Sequence, residues 1–265
     1  MSTPLRTKYQ ATLLAAGLAA LLCLLPGCTQ ASKQDREALA QGFTNYSSQQ
    51  YDRAEAAADA YIRKYPDDPN VDEAYYLRGM ARLGKGSPAA AAQDLNTAIA
   101  KTQRDDLNAK AHRALGDMAY AAQRFEQSIE YYCTALQFYP SNRPEPMVLY
   151  RLGAAYQNLG RWAEARPQLE RVSQVTSEPR LRQLALNRSR ATAFSLQFGA
   201  FGQKNNAEIL ARQLNAVGIK AVLVPEIEEA ALVYSVRAGV YADIAHADEA
   251  RRKLLTKYPL VRIVP

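Results

Sequence analysis

The sequence predicts a multi-domain protein: an all-α solenoid of repeated helix pairs, followed by a small α+β domain of βαββαβ order. Two repeats written into the chain predict it. Gly42, Gly79, Gly116 and Gly153 stand 37 residues apart in the first two thirds. Leu196-Gln197-Phe198-Gly199-Ala200-Phe201 is echoed forty residues on by Val236-Arg237-Ala238-Gly239-Val240-Tyr241. A third observation sets the N-terminus apart, because an apolar run there belongs to neither repeat.

That first segment reads as an export signal over residues 1–27. Arg6 and Lys8 form a positive start, and Ala11 to Leu25 is an apolar run broken only by Thr12. Such a run is short for a spanning helix, which needs about 20 residues, and right for a signal peptide. It ends in Leu25-Pro26-Gly27-Cys28. These residues resemble the bacterial lipobox, with Pro26 where the pattern has a small residue. The resemblance implies acyl chains, palmitate among them, on Cys28. Two or more chains anchor a protein stably. Thr29, where aspartate would mark inner-membrane retention, implies the outer membrane, facing the periplasm. The rival reading is an ordinary secretory signal with an incidental Cys28. Residues 28–34 then form a lipidated tether. Cys23 leaves with the signal and Cys28 is blocked, so Cys133 stands alone and no internal disulfide forms. Inside a helical run, Cys133 reads as a buried structural thiol.

Residues 35–175 read as four 37-residue units, or eight helices. Nine residues after each glycine come Tyr51, Pro88, Phe125 and Trp162. Twelve after come Ala54, Ala91, Ser128 and Ala165, and sixteen after come Ala58, Leu95, Tyr132 and Leu169. Glycine in the first helix and alanine in the second let a pair cross closely, and stacked pairs bury one stripe. Ser87-Pro88 is a cap with proline at the first helical position. Tyr65-Pro66 and Tyr139-Pro140 stop helices. Pro167 inside the last helix predicts a kink or a late start. The ladder resembles the tetratricopeptide repeat (TPR), whose unit is 34 residues; three extra residues per unit would lengthen the turns between repeats. The resemblance implies a concave face that holds a partner protein. Residues 176–193 read as a junction, with a short basic helix from Arg180 to Arg190. It caps the array, or its Arg180, Arg182, Arg188 and Arg190 meet anionic wall polymer.

In residues 194–265 strands are expected at 194–200, 220–224, 233–238 and 261–264, with the second and fourth flanking the central pair. Helices at 205–217 and 245–258 cover the apolar side through Ile209, Leu210, Leu214, Ala247, Ala250 and Leu254. Alternation puts Ser195, Gln197, Ser235 and Arg237 on the opposite side, which is expected to stand open. Gly199 and Gly239 read as turn glycines, and Phe201 and Tyr241 as core. The doubled motif resembles the SPOR (sporulation-related repeat) domain, with a ferredoxin-like, RNP-like order of elements. The resemblance implies binding to the glycan strands of peptidoglycan, with preference for strands stripped of peptide. Gln197 matches the family's glutamine in the first strand and Arg237 its basic residue in the third. Ser235 stands where the family often has another arginine. The only tryptophan, Trp162, lies in the repeats, so Tyr234 and Tyr241 are the candidates for stacking on sugar rings.

Other chemistry is sparse. The excess of seven positive charges falls to five once Arg6 and Lys8 leave with the signal. Basic residues are scattered, which argues against nucleic acid. His112 and His246 are far apart, and no hydrolase, phosphate-loop or metal-ligand spacing occurs. Asp67-Asp68, Asp105-Asp106 and Glu228-Glu229 read as solvated loop charge. The expectation is therefore no enzyme, no cofactor and no metal. It is a membrane-anchored lipoprotein of the cell envelope that binds glycan strands and positions an envelope protein on its array, in cell division or wall remodelling. The alternative is a repeat scaffold for an outer-membrane assembly machine, with the C-terminal domain binding protein.

Overall fold

A computed structural model describes residues 30–140, 143–228 and 231–265. The signal segment and Cys28 lie outside the described residues, as do the side chains of Glu228 and Glu229. The chain divides into two compact units, one ending at Lys101 and one running from Thr102 to Pro265.

Four helix pairs precede the sheet: α1 (Lys33–Ser47) with α2 (Tyr51–Lys64), α3 (Val71–Gly84) with α4 (Pro88–Lys101), α5 (Asp105–Ala121) with α6 (Phe125–Phe138), and α7 (Pro146–Asn158) with α8 (Trp162–Val175). The second helices all begin nine residues after the repeated glycine and end 37 residues apart. Their phase is set by the turn inside each pair. There one residue takes a left-handed conformation: Gln49, Gly86, Gln123 and Gly160, at φ 60°, 78°, 57° and 75°. The repeated glycines serve space instead. A Cβ on Gly79 would stand 3.1 Å from Leu95, one on Gly116 2.6 Å from Tyr132, and one on Gly153 2.6 Å from Leu169. Each of these three therefore makes room for the large residue sixteen positions on, while Gly42 makes room for Leu77, 2.7 Å from where its Cβ would stand. Between pairs the turns are long after α2 and α6 and short after α4, where α5 starts early and runs to 17 residues.

In the first unit, charge locks the pairs together. Asp94, 4% exposed, accepts from Arg78 at 2.6 Å and from Arg82 at 2.8 Å. Arg78 also reaches Asp59, Arg82 reaches Glu55, and Lys85 reaches Glu55 and Asp52. Two guanidiniums offset the desolvation of the one buried carboxylate. The expectation of solvated charge at Asp67-Asp68 is corrected at Asp68, which is buried. Its oxygens accept from Tyr61 Oη, from the Asn70 backbone N–H and, over 2.8 Å, from the Ala31 N–H. Ala31 is itself buried, and Ser32 caps α1. The chain is thus fixed from Ala31 onward.

The second unit holds α5 to α8, α9 (Pro179–Ser189) and the sheet domain. Helix α8 starts at Trp162 with Pro167 inside it, so the late start does not occur. Proline there forfeits one early hydrogen bond. Leu181 and Ala185 of α9 pack with Leu149 and Val172. Two of its arginines hydrogen-bond back to the preceding helices. Arg182 donates to the carbonyls of Ser173 and Thr176, and Arg188 to Gln157 Oε1. Then follow β1 (Phe194–Phe201), α10 (Lys204–Ala216), β2 (Ala221–Glu228), β3 (Ala231–Tyr241), α11 (Ile244–Leu254) and β4 (Arg262–Val264). The sheet is antiparallel in the order β2-β3-β1-β4. Ala207, Ala211 and Leu214 of α10 pack on Val236, Ala238 and Ala221. Ile209, expected in that contact, is 41% exposed, since the small alanines and not the isoleucine set which side of α10 faces the sheet.

Candidate functional site

The doubled motif forms the two central strands, and each copy carries a bulge. Opposite β3, β1 gains a residue between Gln197 and Gly199; β3 gains one between Ala238 and Tyr241. The glycines explain where. Phe201 lies over Gly199, so that a Cβ would stand 2.9 Å from its ring, and Tyr241 lies over Gly239 in the same way. Gly199 is therefore a glycine of space, while Gly239, at φ 79°, serves both space and backbone. This corrects the turn reading for Gly199.

Gln197 pairs with Arg237 on one side and with Arg262 on the other, and Arg237 pairs with Val222. Cross-strand partners share a face. One row therefore runs Val222, Arg237, Gln197, Arg262 across the side of the sheet away from α10. Ser195, half-buried and paired with Val264, lies beside it, as does Ser235, paired with Val224. Tyr234 does not. It packs on the helix side with Val236, Phe201 and Leu210. Alternation along β3 sends it there, so stacking on a sugar from the Gln197 face is ruled out for Tyr234. Tyr241, folded over Gly239, is likewise committed to its own motif.

The expectation of an open face is corrected at its centre. Gln197 is 2% exposed and Ser235 is fully buried. At Ser235 the reason is Glu226. Strand β2 runs four residues past its expected end at Val224, and this brings Glu226 into the sheet. Its carboxylate accepts from Arg237 Nη2 at 2.6 Å and from the Ser235 hydroxyl. Arg237 Nη1 donates to the Pro265 carbonyl at 3.3 Å. Two donors are left over: Gln197 Nε2 and Arg237 Nε are buried and have no acceptor. Unpartnered buried donors cost about 1–3 kcal/mol each. A group with a free lone pair, brought to this spot, would recover that cost. Glu226 and Arg262 were missed in the sequence; the alternation Val222, Val224, Glu226 is the signal that could have found the first.

Trp162 also has a place here. Its ring meets Phe194 edge-on at 5.0 Å, and its Nε1–H donates to the Ala242 carbonyl. Beside this contact lies a cleft of about 670 Å³, lined by Phe125, Asn158, Leu159, Ile244, Asp248 and Arg252. Cys133 is a half-buried free thiol packed near Tyr132 and Leu152. His112 sits half-buried beside Phe138, its ring nitrogen on the Asn108 carbonyl. Among the described residues no three His, Cys, Asp or Glu side chains form a metal-binding group, and no helix is long and apolar enough to cross a membrane.

Comparison with known proteins agrees with this layout. Residues 191–258 match the family model of the SPOR domain. Residues 147–174 match the tetratricopeptide repeat, and residues 18–141 an outer membrane lipoprotein family. These are binding and scaffold families. A tetratricopeptide repeat protein from Parabacteroides merdae superposes with a TM-score of 0.51 at 16% identity, over 70% of this chain and 66% of that one. PilF of Pseudomonas aeruginosa gives 0.49 at 17% identity, over 59% and 69%. The C-terminal part of a repeat protein from Cytophaga hutchinsonii gives 0.49 at 16% identity, over 80% and 78%. At such identity the Parabacteroides merdae likeness is one of fold.

Proposed function

We propose, starting from a chain in which tetratricopeptide-type helix pairs lead into a SPOR domain, that this protein grips the glycan strands of peptidoglycan on the outer face of its sheet. The observation that carries the proposal is the register pair Gln197–Arg237, with two buried donors that lack acceptors. A glycan strand presents carbonyl and hydroxyl oxygens at each sugar, and these are the partners such donors want. The helix pairs then hold an envelope protein, and acylation of Cys28 fixes the chain to the outer membrane on its periplasmic side. Localising that partner where strands have been stripped of peptide, at division or remodelling sites, is the role that follows. The chain binds and positions; it does not catalyse.

The test is retention of the full chain on purified glycan strands. Wild type is retained, and Gln197→Ala and Arg237→Ala each lose about tenfold in affinity, the effect of one lost hydrogen-bonding partner. Retention of both variants at the wild-type level overturns the proposal.

The likeness of residues 18–141 to an outer membrane lipoprotein family favours a second reading, a scaffold for an outer-membrane assembly machine. Cross-linking in cells separates the two. On the scaffold reading the main adduct is an envelope protein whose yield Arg237→Ala leaves unchanged.

A further inference from the structure

Resting on the glycan reading, we infer that Arg262 is a specificity-determining residue, which takes the carboxylate that a wall sugar carries once its peptide has been removed. A stem peptide is joined to the lactyl group of its sugar through an amide, which has no charge. Hydrolysis of that amide leaves a carboxylate on the strand. A face that tells stripped strands from intact ones therefore needs a cation that reaches solvent and is not already paired. Arg237 is matched by Glu226 at 2.6 Å and fails the second condition. Arg262 meets both. It stands in register with Gln197 on β4, an edge of the sheet, and it is exposed. Its neighbour Ile263 lines the cleft at the start of α11, so alternation sends Arg262 to the other side, away from the helices. Two residues along the same face Ser195 pairs with Val264, and both are half-buried. Ser195 and Arg262 are thus diagonal neighbours, a separation that a long side chain spans. Among the described residues neither of these two side chains has a hydrogen bond or an ion pair. A guanidinium fork and a hydroxyl together supply the donors that a carboxylate accepts. Val264 beside them offers an apolar contact to the sugar ring. The guanidinium is on the surface already, so nothing has to be uncovered before the carboxylate meets it.

The experiment is calorimetric titration of the full chain in mild detergent with one peptide-free wall tetrasaccharide in two forms, its lactyl groups either free carboxylates or methylamides. Wild type binds the carboxylate form about fivefold more tightly, the worth of one exposed ion pair, and about 1 M salt removes the difference. Arg262→Gln binds the two forms equally and holds the methylamide within about twofold of wild type. Arg262→Lys, a point charge without the fork, keeps a preference of about twofold or more. Equal binding of the two forms by wild type overturns the inference and leaves the glycan reading standing, as does an undiminished preference in Arg262→Gln. If wild type binds neither form, the glycan reading fails, and the inference fails with it.

Discussion

Trp162 donates its indole N–H to the carbonyl oxygen of Ala242 over 2.7 Å, so the first residue of α8 holds the turn between β3 and α11. Gly160 approaches the same carbonyl, where a Cβ would stand 3.0 Å away. Replacing Trp162 by Phe keeps a ring against Phe194 and removes the hydrogen bond. The expected loss is about 1 kcal/mol, read from the urea midpoint by circular dichroism. A midpoint equal to wild type would show that this bond adds nothing to stability.

The turns inside the helix pairs predict an improvement. Gln49 and Gln123 occupy the left-handed position that Gly86 and Gly160 fill in the other pairs. A non-glycine residue there costs roughly 1–2 kcal/mol, and glycine gives part of that back in unfolded-state entropy. Gln123→Gly should stabilise the protein by about 0.5–1 kcal/mol, and Gly86→Ala should destabilise it by about 1 kcal/mol. Thermal unfolding checks both signs.

The two motif glycines predict unequal costs. Gly199→Ala pushes on the ends of two side chains, the Phe201 ring and Leu210, a strain of about 1–2 kcal/mol. Gly239→Ala also forces a side chain onto a left-handed backbone and should cost about 2–4 kcal/mol. Denaturant titration of the pair gives the order, and equal losses would refute the distinction.

Acid should loosen the start of the chain. Burial raises the Asp68 pKa, but the N–H groups of Ala31 and Asn70 and the Tyr61 hydroxyl outweigh it, and the net shift is downward. The Ser32 hydroxyl, then Tyr65 and Lys64, hold Asp35 down at about 2. A carboxylate lowered in the folded state contributes stability that is full above its unfolded value. That contribution is lost as pH falls through the folded value. Thermal midpoints should therefore drop as pH falls from about 4 towards 2, and Asp68→Asn should flatten the drop. A variant with the wild-type slope would assign the pH dependence elsewhere.

The helix pairs were legible because one spacing governs them. The same offset that aligns Gly42 with Gly153 also fixes where Tyr51, Pro88, Phe125 and Trp162 start their helices. The sheet order followed from the doubled motif. What the sequence hid was compensation between strands. Gln197 and Arg237 show as neighbours by alternation, but the carboxylate of Glu226 comes from a strand whose end was set too early. Pro225 does not end that strand, since proline is tolerated at a sheet edge and β2 is such an edge. Asp68 misled for a related reason: a charge beside proline usually meets water, and this one meets four donors from three residues, Ala31, Tyr61 and Asn70.

The bond from Ala31 to Asp68 limits slack. Only Thr29 and Gln30 separate Ala31 from Cys28, and three residue steps extend at most about 10 Å. If lipid is carried at Cys28, the leash is too short for the first helices to wander. So anchored, those helices would ride at the bilayer surface like a buoy on a cut rope.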